Sequence, residues 1–137
     1  MRKPQADLVA AFEPVRRAAA PLPGIEFGTS YGTPALRVRG KYLVRIREDG
    51  ESLALRTDFD SRDAMLAMEP DVFYTTDHYR NYPAVLVRLS AVRPAQLAQI
   101  LADSWRVVAP KSLLATQAAA PAPRKRRKTA TKRRAAK

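Results

Sequence analysis

The chain has no cysteine, one histidine, five glycines and 13 acidic residues against 25 basic ones. Without cysteine there is no disulfide framework, no thiol nucleophile, no thiolate zinc site and no iron–sulfur cluster. A single histidine, His78, excludes a histidine-rich metal cage and any mechanism needing two imidazoles. No uncharged apolar run approaches the roughly 18 residues a membrane span needs. The amino-terminal Met1-Arg2-Lys3-Pro4 carries charge with no apolar stretch behind it, so it does not read as a secretory signal. A soluble cytoplasmic protein is the expectation, and the wealth of Ala and Arg would suit a GC-rich bacterial genome.

What is present is 137 residues with 46% hydrophobic content and a formal charge of +12. The charge is uneven. From Thr116 to Lys137 there are nine basic residues and no acidic one, which leaves 16 basic and 13 acidic residues, a net +3, in residues 1–115. The chain therefore reads as a nearly balanced body (1–115), long enough for one core, and a cationic segment (116–137). That segment is built of Ala, Pro, Lys and Arg. It cannot bury enough apolar surface to offset ordering entropy and is expected to be disordered.

Within the body, Leu8, Phe12, Val15 and Ala19 recur at helical spacing. Pro14 lies inside this segment and predicts a kink or two short helices, because it removes one backbone hydrogen bond. From Ile25 to Thr57 the period changes to two. Gly40-Lys41 predicts a tight reversal, and Asp49-Gly50 a two-residue type I′ hairpin. A second helix is expected to start near Asp60, capped by it, and to stop before Pro70. Phe73–Thr75 and Ala84–Leu89 read as strands joined by a polar, aromatic loop. A last helix opens at Pro94 with Leu97, Ile100, Leu101, Trp105 and Val108 on one face. Runs of strands with few crossovers predict an α+β, two-layer domain on a mainly antiparallel sheet, with helices at both ends and one between the strand runs.

Three stretches look familiar in combination: Ser30-Tyr31-Gly32-Thr33-Pro34 through Lys41, His78-Tyr79-Arg80-Asn81-Tyr82-Pro83 through Leu89, and Ser104-Trp105-Arg106 through Lys111. In this order they resemble the MmcQ/YjbR-like family, over about residues 5 to 114. The resemblance implies a small double-wing α+β fold, likened to secretion-chaperone and frataxin-like sheets. Members of that family are usually named DNA-binding, and no catalytic residues carry over. The cationic segment lies outside the family pattern.

Two features point to a polyanion. In the cationic segment, Arg124, Lys125, Arg126, Arg127, Lys128, Lys132, Arg133, Arg134 and Lys137 form two blocks that can follow a phosphate backbone and release its counterions. The bland readings are a solubility tail, an anionic-membrane anchor or a localisation-like run. In the body, if Leu36, Val38, Val44, Ile46, Leu53 and Leu55 face the core, period-two geometry puts Arg37, Arg39, Arg45, Arg47 and Arg56 opposite, with Arg88 able to join and Lys41 at the reversal. Arginine's planar fork suits phosphate. A solvated sheet face that discourages edge aggregation explains the same pattern.

Tyr79 and Tyr82, in the polar loop, are candidates for stacking on bases; Tyr42, Phe73, Phe12 and Trp105 are assigned to the core, and Tyr31 is left open. Asp77-His78 is the one place where acid–base chemistry can be imagined, but neighbours in sequence rarely hold that geometry, and a loop hydrogen-bonding role is the plainer reading. The glycines form no phosphate-loop pattern. The expected function is thus non-enzymatic, largely sequence-independent binding of double-stranded DNA, without cofactor or metal, and with nucleoid association in the cytoplasm. DNA is favoured over RNA, with no membrane or small-molecule partner. The alternative is a chaperone- or adaptor-like protein-interaction module whose basic segment binds anions non-specifically.

Overall fold

The computed structural model describes residues 2–119. Its elements run α1 (Gln5–Ala19), β1 (Ile25–Ser30), β2 (Thr33–Val38), β3 (Lys41–Ile46), β4 (Ser52–Arg56), α2 (Phe59–Met68), β5 (Phe73–Tyr74), β6 (Ala84–Arg88), α3 (Pro94–Val108) and α4 (Lys111–Ala119). The six strands form one sheet in the order β1-β2-β3-β4-β6-β5. Every neighbouring pair is antiparallel. This is the α+β architecture that the periodicities predict.

Helices α1 and α3 pack against each other and onto β2, β3 and β4. The four residues at helical spacing in the first segment are the buried ones in α1: Leu8, Phe12, Val15 and Ala19. They meet Leu36, Val38, Val44, Ile46, Leu53, Leu55, Val85 and Val87 from the sheet, and Leu97, Ile100, Leu101, Trp105 and Val108 from α3. Trp105 Nε1 donates to the carbonyl of Pro23 at 2.7 Å, which ties α3 to the α1–β1 connection.

Four expectations need correction. First, α1 is a single helix with Pro14 inside it, so of the two outcomes a proline allows, two short helices do not form. Pro14 and Ala10 are both exposed, so water can take the Ala10 carbonyl that the proline leaves without a donor. Second, the two-residue turns fall elsewhere. Tyr31-Gly32 joins β1 to β2 and Arg39-Gly40 joins β2 to β3, all four residues at positive φ, as type I′ requires. Asp49-Gly50 instead lies within a longer loop, in which only Gly50 has positive φ and Asp49 Oδ1 accepts from the backbone N–H of Glu51 and Ser52. Third, α2 is capped by Asp58, not Asp60: its carboxylate accepts from Ser61 N–H at 2.7 Å. That hydrogen bond holds the Asp58 carboxyl below its ordinary pKa. Fourth, a helix, α4, follows Pro110, whose carbonyl accepts from the N–H groups of Leu113 and Leu114. Leu113 joins the core, and the Ala-rich sequence after it favours helix. The residues from 120 onward, with the expectation of disorder there, lie outside the described residues.

Among the described residues one buried side-chain polar group is left unmatched. Ser104, 1% exposed within α3, has no hydrogen-bond partner for its Oγ. A desolvated hydroxyl without a partner is a standing penalty, and alanine is the better helix former. Ser104→Ala is therefore expected to leave stability unchanged or raise it by up to about 1 kcal/mol. Urea denaturation reads this directly; a loss larger than that would show that the hydroxyl has a partner.

Candidate nucleic-acid interface

Alternation along the strands gives the sheet a second face, and the structure departs from the simple stripe there for an identifiable reason. Between β2 and β3 the register shifts: Leu36 pairs with Val44 but Arg37 pairs with Tyr42, so Leu43 is an extra residue. A bulge of this kind reverses the alternation beyond it. Leu43 joins the core with Val44 and Ile46, and Tyr42, expected in the core, goes to the opposite face. There its Oη donates to the carbonyl of Ala54. Burial pushes the Tyr42 phenol well above its usual pKa.

Across this second face one row runs Ala35, Arg45, Ala54, Leu86, Tyr74 in register. Ala35, Ala54 and Leu86 are at most 1% exposed, so the face is covered and is not a bare basic ribbon. Arg45 is itself buried, at 6% exposure. Its guanidinium donates to Tyr79 Oη and Thr33 Oγ1, both at 3.2 Å, and pairs with Glu48 at 3.5 Å. Burial alone would lower the Arg45 pKa, but Tyr79 and Glu48 outweigh it and the group is held more firmly protonated. Burial would raise Glu48; its own backbone N–H and Arg45 together hold the carboxyl below the usual range.

Around Arg45 the side chains alternate between cation and aromatic ring. The Tyr31 ring lies 5.2 Å from the Arg45 guanidinium. Tyr79, bonded to Arg45, has the Arg47 guanidinium 5.6 Å from its ring centre. Arg47 donates to Tyr74 Oη at 3.3 Å, and Arg88 lies over the Tyr74 ring at 4.2 Å. The result is a ladder, Tyr31–Arg45–Tyr79–Arg47–Tyr74–Arg88, from the β1–β2 turn to the β6 end of the sheet. Cation–π contacts are worth about 0.5–1 kcal/mol at exposed sites and about 2 kcal/mol when desolvated. Glu48 is the one carboxylate that forms an ion pair with the ladder among the described residues. Among the described residues Arg47 and Arg88 bond only to neutral groups, Arg88 to the carbonyls of Pro70 and Asp71.

The other expected cations are dispersed. Arg37 donates to the Thr29 carbonyl at 2.8 Å near the β1 edge. Arg56 reaches the carbonyls of Thr57 and Pro83. Arg39, expected on a strand face, occupies the left-handed turn beside exposed Lys41. Arg124, Lys125, Arg126, Arg127, Lys128, Lys132, Arg133, Arg134 and Lys137 lie outside the described residues. Tyr74 was missed by sequence reasoning, although its alternation with buried Phe73 was signal enough to place it opposite the core.

The 75–83 loop packs Tyr79 onto the ladder and leaves two neighbours outside. His78 and Tyr82 are exposed, with ring centres 4.9 and 6.3 Å from that of Tyr79. Asp77, the carboxylate beside His78, is paired with Arg80 at 2.6 Å. Arg62 of α2 holds the loop by donating to the carbonyls of Arg80 and Tyr82. Among the described residues no cluster of three or more His, Asp or Glu is placed to hold a metal, and no helix is long and apolar enough to cross a membrane.

A family model described as YjbR matches residues 20–107, which takes in the whole sheet and most of α3. The chain is also similar to an uncharacterized protein of Mycobacterium bovis and to uncharacterized proteins of two Mycobacterium tuberculosis strains. Each is 38% identical over 71 residues, 52% of this chain and 47% of the relative. The chain thus spans about half the length of the curated relatives it matches.

Proposed function

Because this chain belongs to the YjbR family, and because of the charge placement on its sheet, we propose that it is a non-enzymatic protein that binds double-stranded DNA with little sequence preference. The observation that carries the reading is the Arg–Tyr ladder, whose Arg47 and Arg88 are half-buried and meet only neutral partners among the described residues. Fixed guanidinium groups without carboxylates favour an external polyanion, and arginine presents the fork that phosphate accepts. The nine cations of the C-terminal segment add a second contact that raises overall affinity by effective concentration. No side chain on the ladder stands out as a reader of base edges, so no recognition sequence is proposed. Nucleoid association in the cytoplasm follows from such binding.

The test is fluorescence anisotropy with a random-sequence duplex across a salt series. The full chain is compared with a chain ending at Ala119, because a cut at 115 would sever α4. If about half of the segment's cations meet phosphates, its removal makes the log–log salt slope shallower by about 4. The shortened chain is expected to keep weaker, salt-sensitive binding, and Arg47→Ala with Arg88→Ala to reduce it further. No binding by the full chain below about 0.2 M salt would defeat the proposal.

One observation favours a second reading, a protein-interaction module. A groove of about 490 Å³ between α1, the start of α3 and the loops at Gly50 and Leu89 is lined largely by Ala11, Pro14, Ala18, Leu89, Val92 and Leu97. Apolar concavities commonly take partners. Under this reading the shortened chain loses all DNA binding, and the ladder serves only to hold the 75–83 loop.

A further inference from the structure

Tyr31 sits where its own fold disfavours it. It is the first residue of a type I′ turn, at φ +53°, a position that Asn, Asp and Gly fill without difficulty and a bulky aromatic does not. Burial does not compensate, since the residue is 82% exposed. Among the described residues its one ring contact is the Arg45 guanidinium, 5.2 Å away. Strained backbone under an exposed aromatic is a pattern that accompanies binding surfaces. The other such turn uses Arg39 in the same left-handed position.

Arg45 joins Tyr31 to a second exposed aromatic surface. Its guanidinium, beside the Tyr31 ring, also bonds Tyr79 Oη. Tyr79 in turn packs against His78 and Tyr82, and the Tyr82 side is 53% exposed. Tyr31 and the His78–Tyr82 pair are thus exposed aromatic groups linked through Tyr79 and one buried cation. Arg47 lies against Tyr79 next to them.

Resting on the DNA-binding reading above, we propose that Tyr31, His78 and Tyr82 form a stacking platform for unpaired DNA bases. Within a duplex the base faces are already occupied by their neighbours. Single strands, frayed ends and extruded bases offer free faces, and stacking on aromatic side chains accepts any of the four. Arg47, beside Tyr79, supplies a phosphate contact. The body therefore prefers single-stranded DNA, and the duplex affinity is mainly electrostatic.

The experiment uses the full chain with a single-stranded oligonucleotide containing 2-aminopurine, and a matched duplex, each across a salt series. Binding is expected to change the 2-aminopurine emission in the single strand. Tyr31→Gly suits the positive φ, so thermal stability is retained, yet it should weaken single-strand binding about tenfold with the salt slope unchanged. Tyr82→Ala should act in the same direction, Tyr31→Trp should preserve single-strand binding, and duplex affinity should hold in Tyr82→Ala, which lies outside the Arg–Tyr ladder. Duplex binding without an emission change, or with single-strand affinity indifferent to Tyr31→Gly and Tyr82→Ala, overturns the platform and leaves the DNA-binding proposal standing. Failure to bind either DNA overturns both.

Discussion

Trp105→Ala is expected to lower the free energy of unfolding by about 3–5 kcal/mol. The indole is 1% exposed and belongs to the core cluster that joins α1, α3 and the sheet. Its removal opens a cavity there and leaves the Pro23 carbonyl without the donor it meets at 2.7 Å. Domains of this size have about 5–15 kcal/mol to lose, so the variant should sit near the edge of folding at 37 °C. Urea denaturation followed by far-ultraviolet circular dichroism is the suitable measurement, because Trp105 is the only tryptophan and its fluorescence is absent from the variant. Trp105→Phe retains much of the ring volume but not the N–H, and should lose only about 1–3 kcal/mol. A loss below about 1 kcal/mol for Trp105→Ala would contradict the packing described.

The second large effect is expected at Arg45, and it separates a structural arginine from a binding one. Arg45→Ala leaves Tyr79 Oη and Thr33 Oγ1 without their donor and removes the aliphatic stem beside Ala35 and Ala54. Glu48 is 42% exposed and can turn to water, so the full penalty of an orphaned buried charge does not apply. A destabilisation of about 2–3 kcal/mol is expected. Arg45→Lys should recover little of it, because an ammonium cannot span the phenol, hydroxyl and carboxylate with one planar fork. Arg47→Ala and Arg88→Ala, on half-exposed side chains, should each change stability by less than about 1 kcal/mol while making the salt slope of DNA binding shallower by about 0.9. Thermal melts and anisotropy on the same three variants test the division of labour. If Arg45→Ala melts with the wild type and shifts only DNA binding, the assignment is reversed.

Arg45 also illustrates the limit of strand periodicity. Alternation correctly puts it opposite Leu36, Val38, Val44 and Ile46, but alternation is a statement about direction and says nothing of what lies above the residue. Here a loop brings Tyr79, 34 positions further on, down over it, and what reads as a solvated cation is a buried tie. Tyr42 fails for a different reason. One extra residue at Leu43 reverses the pleat, and bulges depend on how two strands meet, which no single strand records. The capping aspartate was misplaced by two residues because Asp58 and Asp60 are both competent caps. Only the path of the chain from Arg56 into α2 selects between them.

Other properties needed no tertiary information. The buried faces of α1 and α3 are legible because 3.6 residues per turn forces Leu8, Phe12, Val15 and Ala19, or Leu97, Leu101, Trp105 and Val108, to one side of any helix they form. The antiparallel meander follows from two-residue alternation with short Gly-containing connections. The cationic C-terminal segment is a matter of composition alone. These are local or additive consequences of residue type. What required the folded chain is the Arg–Tyr ladder, because its members come from the β1–β2 turn, β3 and the residue after it, β5, the 75–83 loop and β6, up to 57 positions apart between Tyr31 and Arg88. Cation–π and hydrogen-bond contacts act over a few ångströms, and sequence separation on that scale carries no distance until the sheet has closed.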